Sequence, residues 1–153
     1  IDKDLDKALY KGFLGAGMNI PVGGNIFVTL KESEQNQYTA DILEEYVNSG
    51  FKIYVTDDTM DFAKAHDIPA ELMDYDTAQE WIMNHNEESD EKIALVINMP
   101  TVANRKETES FPVRRKAIER GISVMTCMDT AKAFLKAIKL KQRGVELEYK
   151  ELD

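Results

Sequence analysis

A single cysteine, Cys127, in a chain of 153 residues excludes an intrachain disulfide. Stability must come from a buried core, and a reducing, cytoplasmic setting is the expectation. Long apolar runs are also missing: none approaches the roughly 18 residues a helix needs to cross a bilayer, so no membrane span is expected. The first residues, Ile1-Asp2-Lys3-Asp4, are polar where the apolar stretch of a secretory signal would lie. There is no initiating Met, and the chain is expected to be one domain cut from a longer protein. The two histidines, His66 and His85, stand far apart without Cys or Glu at ligand spacing, so no zinc site is expected. Neither G-x-G-x-x-G nor a Walker A loop occurs, which removes the commonest phosphate cradles. Positive charge is short as well, with 19 Lys/Arg against 28 Asp/Glu. The net charge of −9 disfavours non-specific nucleic-acid binding, which needs cations to displace phosphate counterions.

What is present suits one folded domain. The 43% hydrophobic content can build a core and argues against disorder. Charge is uneven: residues 101–143 hold eleven Lys/Arg against four Asp/Glu, a balance of +7, so the remainder carries −16. Such a segment could hold an anion or dock on an acidic surface; solvated helix faces are the plainer reading. Short β-rich runs alternate with helical periodicity. Strands are predicted at Gly24–Leu30, Phe51–Val55, Leu72–Met73, Lys92–Asn98 and Ile122–Thr126. Helices fall between them, the last through Ala131, Phe134, Leu135 and Ile138, and Asp76 or Thr77 is expected to cap the one with Trp81. The fold expected is α/β: a three-layer, doubly wound, mainly parallel five-stranded sheet with helices on both faces. It divides into an N-terminal helix and lead-in (1–20), a β/α core (24–141) and an alternating tail (144–153), all within one domain.

Open α/β sheets bind ligands beyond the carboxyl ends of their strands. There this sequence places Thr29, Lys31 and Ser33, then Thr56-Asp57-Asp58-Thr59, then Asn98, Thr101 and Asn104, and finally Thr126, Cys127 and Asp129. Hydroxyls, amides and helix N-termini on one edge are what an oxyanion needs. Helix capping by Thr56, Asp58 and Asp129, worth about 1 kcal/mol each, is the competing explanation. Cys127, between strand and helix, is read as buried and inert, and Asp57-Asp58 as caps ahead of an acid/base pair. Trp81 and the methionines are read as packing residues.

Several segments resemble a known family. Ala8-Leu9-Tyr10-Lys11, Ala16-Gly17, Ile20-Pro21, Gly24-Asn25-Ile26-Phe27-Val28-Thr29 and Gly50-Phe51-Lys52-Ile53-Tyr54-Val55-Thr56 resemble the methylglyoxal-synthase-like (MGS-like) fold. So do Leu95-Val96-Ile97-Asn98-Met99-Pro100, Val113-Arg114-Arg115-Lys116-Ala117 and Gly121-Ile122-Ser123-Val124-Met125-Thr126. More closely, the chain is similar, over about residues 5–140, to the C-terminal allosteric domains of carbamoyl-phosphate synthase large subunits. The resemblance implies a domain without chemistry or cofactor of its own. It would bind an effector and tune an ATP-dependent ligase that makes carbamoyl phosphate for arginine or pyrimidine biosynthesis. Effectors in such relatives are nucleotides such as UMP or IMP, or N-acetylglutamate, with ornithine near the junction with the synthetase domains. Those synthetase domains, and further copies of the chain, are the implied protein partners. The site residues implied are Lys31, Thr56, Thr59, Tyr75, Asn98, Thr101 and Thr126, with no metal.

Departures from the family pattern matter. A glycine of the threonine motif is replaced, so that Asp57-Asp58 precedes Thr59, and lysines of nucleotide-regulated relatives align with Gln35 and Tyr75. The absence of each such charge-assisted hydrogen bond would cost about 1.5–3 kcal/mol, so UMP and IMP are expected to bind weakly or not at all. Two other functions compete. A methylglyoxal synthase-type lyase would need a carboxylate base, histidine assistance and a G-T-T-G-like phosphate loop, whereas the sequence offers Thr56-Asp57-Asp58-Thr59. A module that only holds oligomers together would need no ligand.

Overall fold

The computed structural model describes residues 2–84, 86, 88–99 and 105–144, with side chains from Lys7 onward in the first helix and from Glu109 onward in the fifth. In chain order the elements are α1 (Asp2–Gly15), β1 (Gly24–Thr29), a 3-10 turn (Glu32–Glu34), α2 (Gln37–Asn48) and β2 (Phe51–Val55). Then come α3 (Asp57–Ala65), β3 (Ala70–Leu72), α4 (Tyr75–Ile82), β4 (Ile93–Asn98), α5 (Arg105–Glu119), β5 (Ser123–Met125) and α6 (Met128–Gln142). The five strands form one sheet in the order β3-β2-β1-β4-β5, and every pair is parallel. The expected three-layer α/β arrangement is therefore what the chain adopts. The alternating tail expected at 145–149 lies outside the described residues.

Parallel strands buried on both faces need apolar side chains in both directions, and the period of two assigns them. Ile26, Val28, Ile53, Val55, Leu95 and Ile97 face one layer, where Leu43 and Tyr46 of α2, Phe62 of α3 and Phe134 and Ile138 of α6 meet them. Phe27, Tyr54 and Val96 face the other, against Ala78 and Ile82 of α4 and Val113 and Ala117 of α5. Helix α1 lies on α6, with Phe13 edge-on to Phe134 at 5.1 Å between ring centroids.

Local signals set the boundaries. Asn36 caps α2, accepting the Thr39 N–H at 3.0 Å, and Gly50, at φ 101°, takes the left-handed turn that ends it. The capping expectation for α4 is corrected: neither Asp76 nor Thr77 caps it. Asp74 does, accepting the Thr77 N–H at 2.7 Å, because its backbone is still extended while Asp76 already lies inside the helix. The lead-in after α1 is pinned from several sides. Asn19 Nδ2 donates to Gly121 O, Ser123 Oγ to Asn19 O, Lys141 Nζ to Ile20 O, and Gln142 Nε2 to both Val22 O and Ser49 O. Much of the basic segment serves in this way or lies on solvated helix faces, as in the exposed Arg115–Glu119 pair. None of its described basic side chains lines the cleft at the carboxyl edge beside Thr56 and Tyr75.

Candidate functional site

Strand order places the functional edge. The chain runs outward from β1 to β2 and β3, then returns to the far side of β1 for β4 and β5. The connections diverge between β1 and β4, the switch point where open sheets leave a crevice. The period of two then decides which side chains reach it. Two residues beyond Phe27, Tyr54 and Val96, on the α4/α5 face, stand Thr29, Thr56 and Asn98, all polar and all buried. Thr29 and Asn98 are direct partners across the β1–β4 ladder.

These residues form a connected polar chain. Asn98 Nδ2 donates to Thr29 Oγ1 and, at 3.2 Å, to Ser110 Oγ of α5. Ser110 in turn donates to the Tyr75 hydroxyl at 3.4 Å, and Tyr75 stands edge-on to Phe27. Burial pushes the Tyr75 phenol up, with the negative charges of Asp58 and Glu109 adding to the shift, so it is a neutral hydrogen-bonding group at physiological pH. Asn98 Oδ1 is buried and has no hydrogen-bond partner among the described residues. Next to this chain opens a cleft of about 530 Å³, lined by Thr56, Asp57, Leu72, Met73, Asp74, Tyr75, Thr77 and Glu109.

The α3 end of the cleft differs from simple capping. Thr56 occupies the N-cap position but makes no side-chain capping bond; its hydroxyl donates to Asp58 Oδ1 at 2.5 Å. Thr59 is fully buried and its hydroxyl accepts the Leu30 N–H at 3.1 Å, tying α3 to the end of β1. Gln35 ties the same loop down, donating to Leu30 O at 3.1 Å and Asp58 O at 3.2 Å.

Of the residues expected in the site, Thr56 and Tyr75 line one cleft and Asn98 joins them through Ser110. Thr59 lies beneath, as a structural tie. Lys31 follows β1, half-buried at the start of the 3-10 turn, and is not part of that lining. Thr101 lies outside the described residues. Thr126 is exposed beyond β5, three strand spacings from β2, or about 14 Å, and is not part of that lining. Two capping expectations are corrected here. Asp58 answers the Thr56 hydroxyl, and Asp129 accepts from Tyr38 at 2.5 Å, tying α6 to α2. Cys127 is also corrected: it is exposed at the start of α6, its Sγ 3.0 Å from Thr130 Oγ1, because the α6 core stripe begins one residue later with Met128. Ser110 was missed, although it lies on the same helical stripe as Val113 and Ala117, where a polar residue stands out.

Comparison with known proteins gives this arrangement a lineage. Residues 38–126, from α2 to the end of β5, match the family described as MGS-like domain. The chain belongs to the MGS-like domain family. Over 153 residues, 99% of its length, this MGS-like domain is also 39% identical to a carbamoyl phosphate synthase large chain of Clostridium acetobutylicum. It spans 14% of that relative. The family match includes Thr56, Thr59, Tyr75, Asn98, Ser110 and Thr126, and leaves Thr29 and Lys31 before its start.

Proposed function

We propose that this MGS-like domain is a non-catalytic effector-binding unit of a carbamoyl phosphate synthase, and that it tunes the synthesis of carbamoyl phosphate elsewhere in the larger enzyme. The observation that carries the reading is the polar chain Thr29–Asn98–Ser110–Tyr75 at the switch point, opening beside Thr56 into a cleft. Hydroxyl and amide groups suit recognition. Leaving the Asn98 oxygen buried without a partner costs about 1–3 kcal/mol, which a ligand donor reaching it would recover. The domain's contacts with synthetase domains, and its effector, whether nucleotide, N-acetylglutamate or ornithine, belong to the same proposal. Catalysis of the methylglyoxal synthase type is disfavoured by the residues at the cleft. Among the described residues no histidine lines it, and His66 sits at the opposite end of α3 from Thr56, stacked near Phe62.

Titration of the chain with UMP, IMP, N-acetylglutamate and ornithine, read by calorimetry and by melting temperature, tests the reading. One of them should bind saturably, and Asn98→Ala should abolish the response while the fold is kept. Self-association without any ligand response would favour the oligomerisation module instead.

A further inference from the structure

Resting on that reading of the cleft, we propose that Asp58 takes up the Thr56 hydroxyl at the cleft's edge with a carboxylate from within the chain and thereby bars phosphorylated ligands. A threonine at the N-cap ordinarily turns its oxygen to the first-turn N–H groups of its helix. Thr56 has the extended backbone of an N-cap, φ −74° and ψ 166°, yet its side chain caps nothing. Its hydroxyl is turned to the Asp58 carboxylate, 2.5 Å away. That carboxylate belongs to the first turn of α3, where the helix dipole favours negative charge. It also acts on Tyr75 across the cleft, helping to keep the phenol neutral.

Helix end, threonine hydroxyl and phenol are groups that a phosphate oxygen would use. Here the threonine hydroxyl already serves an internal anion, the Asp58 carboxylate, whose charge also bears on the phenol. A phosphorylated ligand would have to displace the carboxylate or lie against it, and like charges so close oppose each other strongly. The described lining itself carries Asp57, Asp74 and Glu109, with no lysine or arginine. Gln35 reinforces the arrangement, because its bond to Asp58 O holds the first turn of α3 against the end of β1. The cleft therefore selects ligands that present hydrogen-bond donors rather than phosphate to Asp58.

The test uses inorganic phosphate as probe, at constant ionic strength, on the wild-type chain and on Asp58→Ala and Asp58→Asn, with binding read from backbone amide chemical shifts. Wild type should show no saturable shift at Thr56, Asp57 or Thr59. Asp58→Ala should bind phosphate at these amides at least about tenfold more tightly, and Asp58→Asn, which keeps the shape but loses the charge, should gain by less. Saturable phosphate binding to wild type at the same amides, as tight as to Asp58→Ala, overturns the proposal. So does a folded variant that gains nothing; Asp58→Asn supplies that result if Asp58→Ala does not fold. The regulatory reading fails separately, if no candidate effector moves the wild-type chain, since the phosphate experiment uses none of them.

Discussion

Asp74 and Tyr46 are single side chains whose contributions can be isolated. Asp74 accepts the Thr77 N–H at the start of α4, and this bond holds its carboxyl below the usual carboxylate range. Asp74→Ala should cost about 1 kcal/mol in urea denaturation at neutral pH. The sign of its pH dependence follows from the lowered value. The stabilisation is present in full above the ordinary carboxylate value of 3.8 and is lost as the pH falls through the lowered one. Wild type and Asp74→Ala should therefore converge in stability at strongly acidic pH, and a gap that persisted there would contradict the capping role. Tyr46 is fully buried and donates to Ala131 O at 2.6 Å, fastening α2 to α6. Burial pushes its phenol far up, so it stays neutral at any pH the fold survives. Tyr46→Phe should destabilise by about 1 kcal/mol with the sheet intact by circular dichroism.

Elements join through a few positions that carry more than one constraint. Gly50 ends α2 at φ 101°, in open space, so Gly50→Ala meets no steric neighbour and costs only backbone strain. The expected loss is about 1–2 kcal/mol in chemical denaturation; no loss would mean that the α2–β2 turn can relax. Phe134 anchors α6 between the sheet and Phe13 of α1, and is wholly buried. Phe134→Ala should cost about 3–5 kcal/mol, with the amides of α1 among the first to lose hydrogen-exchange protection, since α1 packs mainly on α6.

At the scale of the whole molecule, the Thr29–Asn98 polar chain lies where connections leave β1 and β4 in opposite directions, and the cleft beside it is lined from the ends of β2 and β3 and from α3, α4 and α5. A ligand joining those elements should act on global stability. At one hundred times its dissociation constant it would add about 2.7 kcal/mol, which for a chain of this size raises the melting temperature by about 5–10 °C. A differential scanning measurement with each candidate effector checks this, and Asn98→Ala should remove the shift.

The sequence alone determined the fold class, because apolar runs buried on both faces and helical periodicity between them leave few arrangements other than a parallel sheet covered on both sides. It also placed Thr29, Thr56 and Asn98 at the carboxyl ends of strands, the edge where open α/β sheets bind ligands. Only the tertiary structure decided what these groups do. Strand order set β1 beside β4 and put Thr126 at the far edge. Helix placement brought Ser110 to Asn98 and Tyr75 to Ser110, and gave Gln35 the Asp58 carbonyl of α3. Local spacing records which way a side chain points; it does not record which neighbour fills the space, because the fold brings that neighbour from a distant part of the chain.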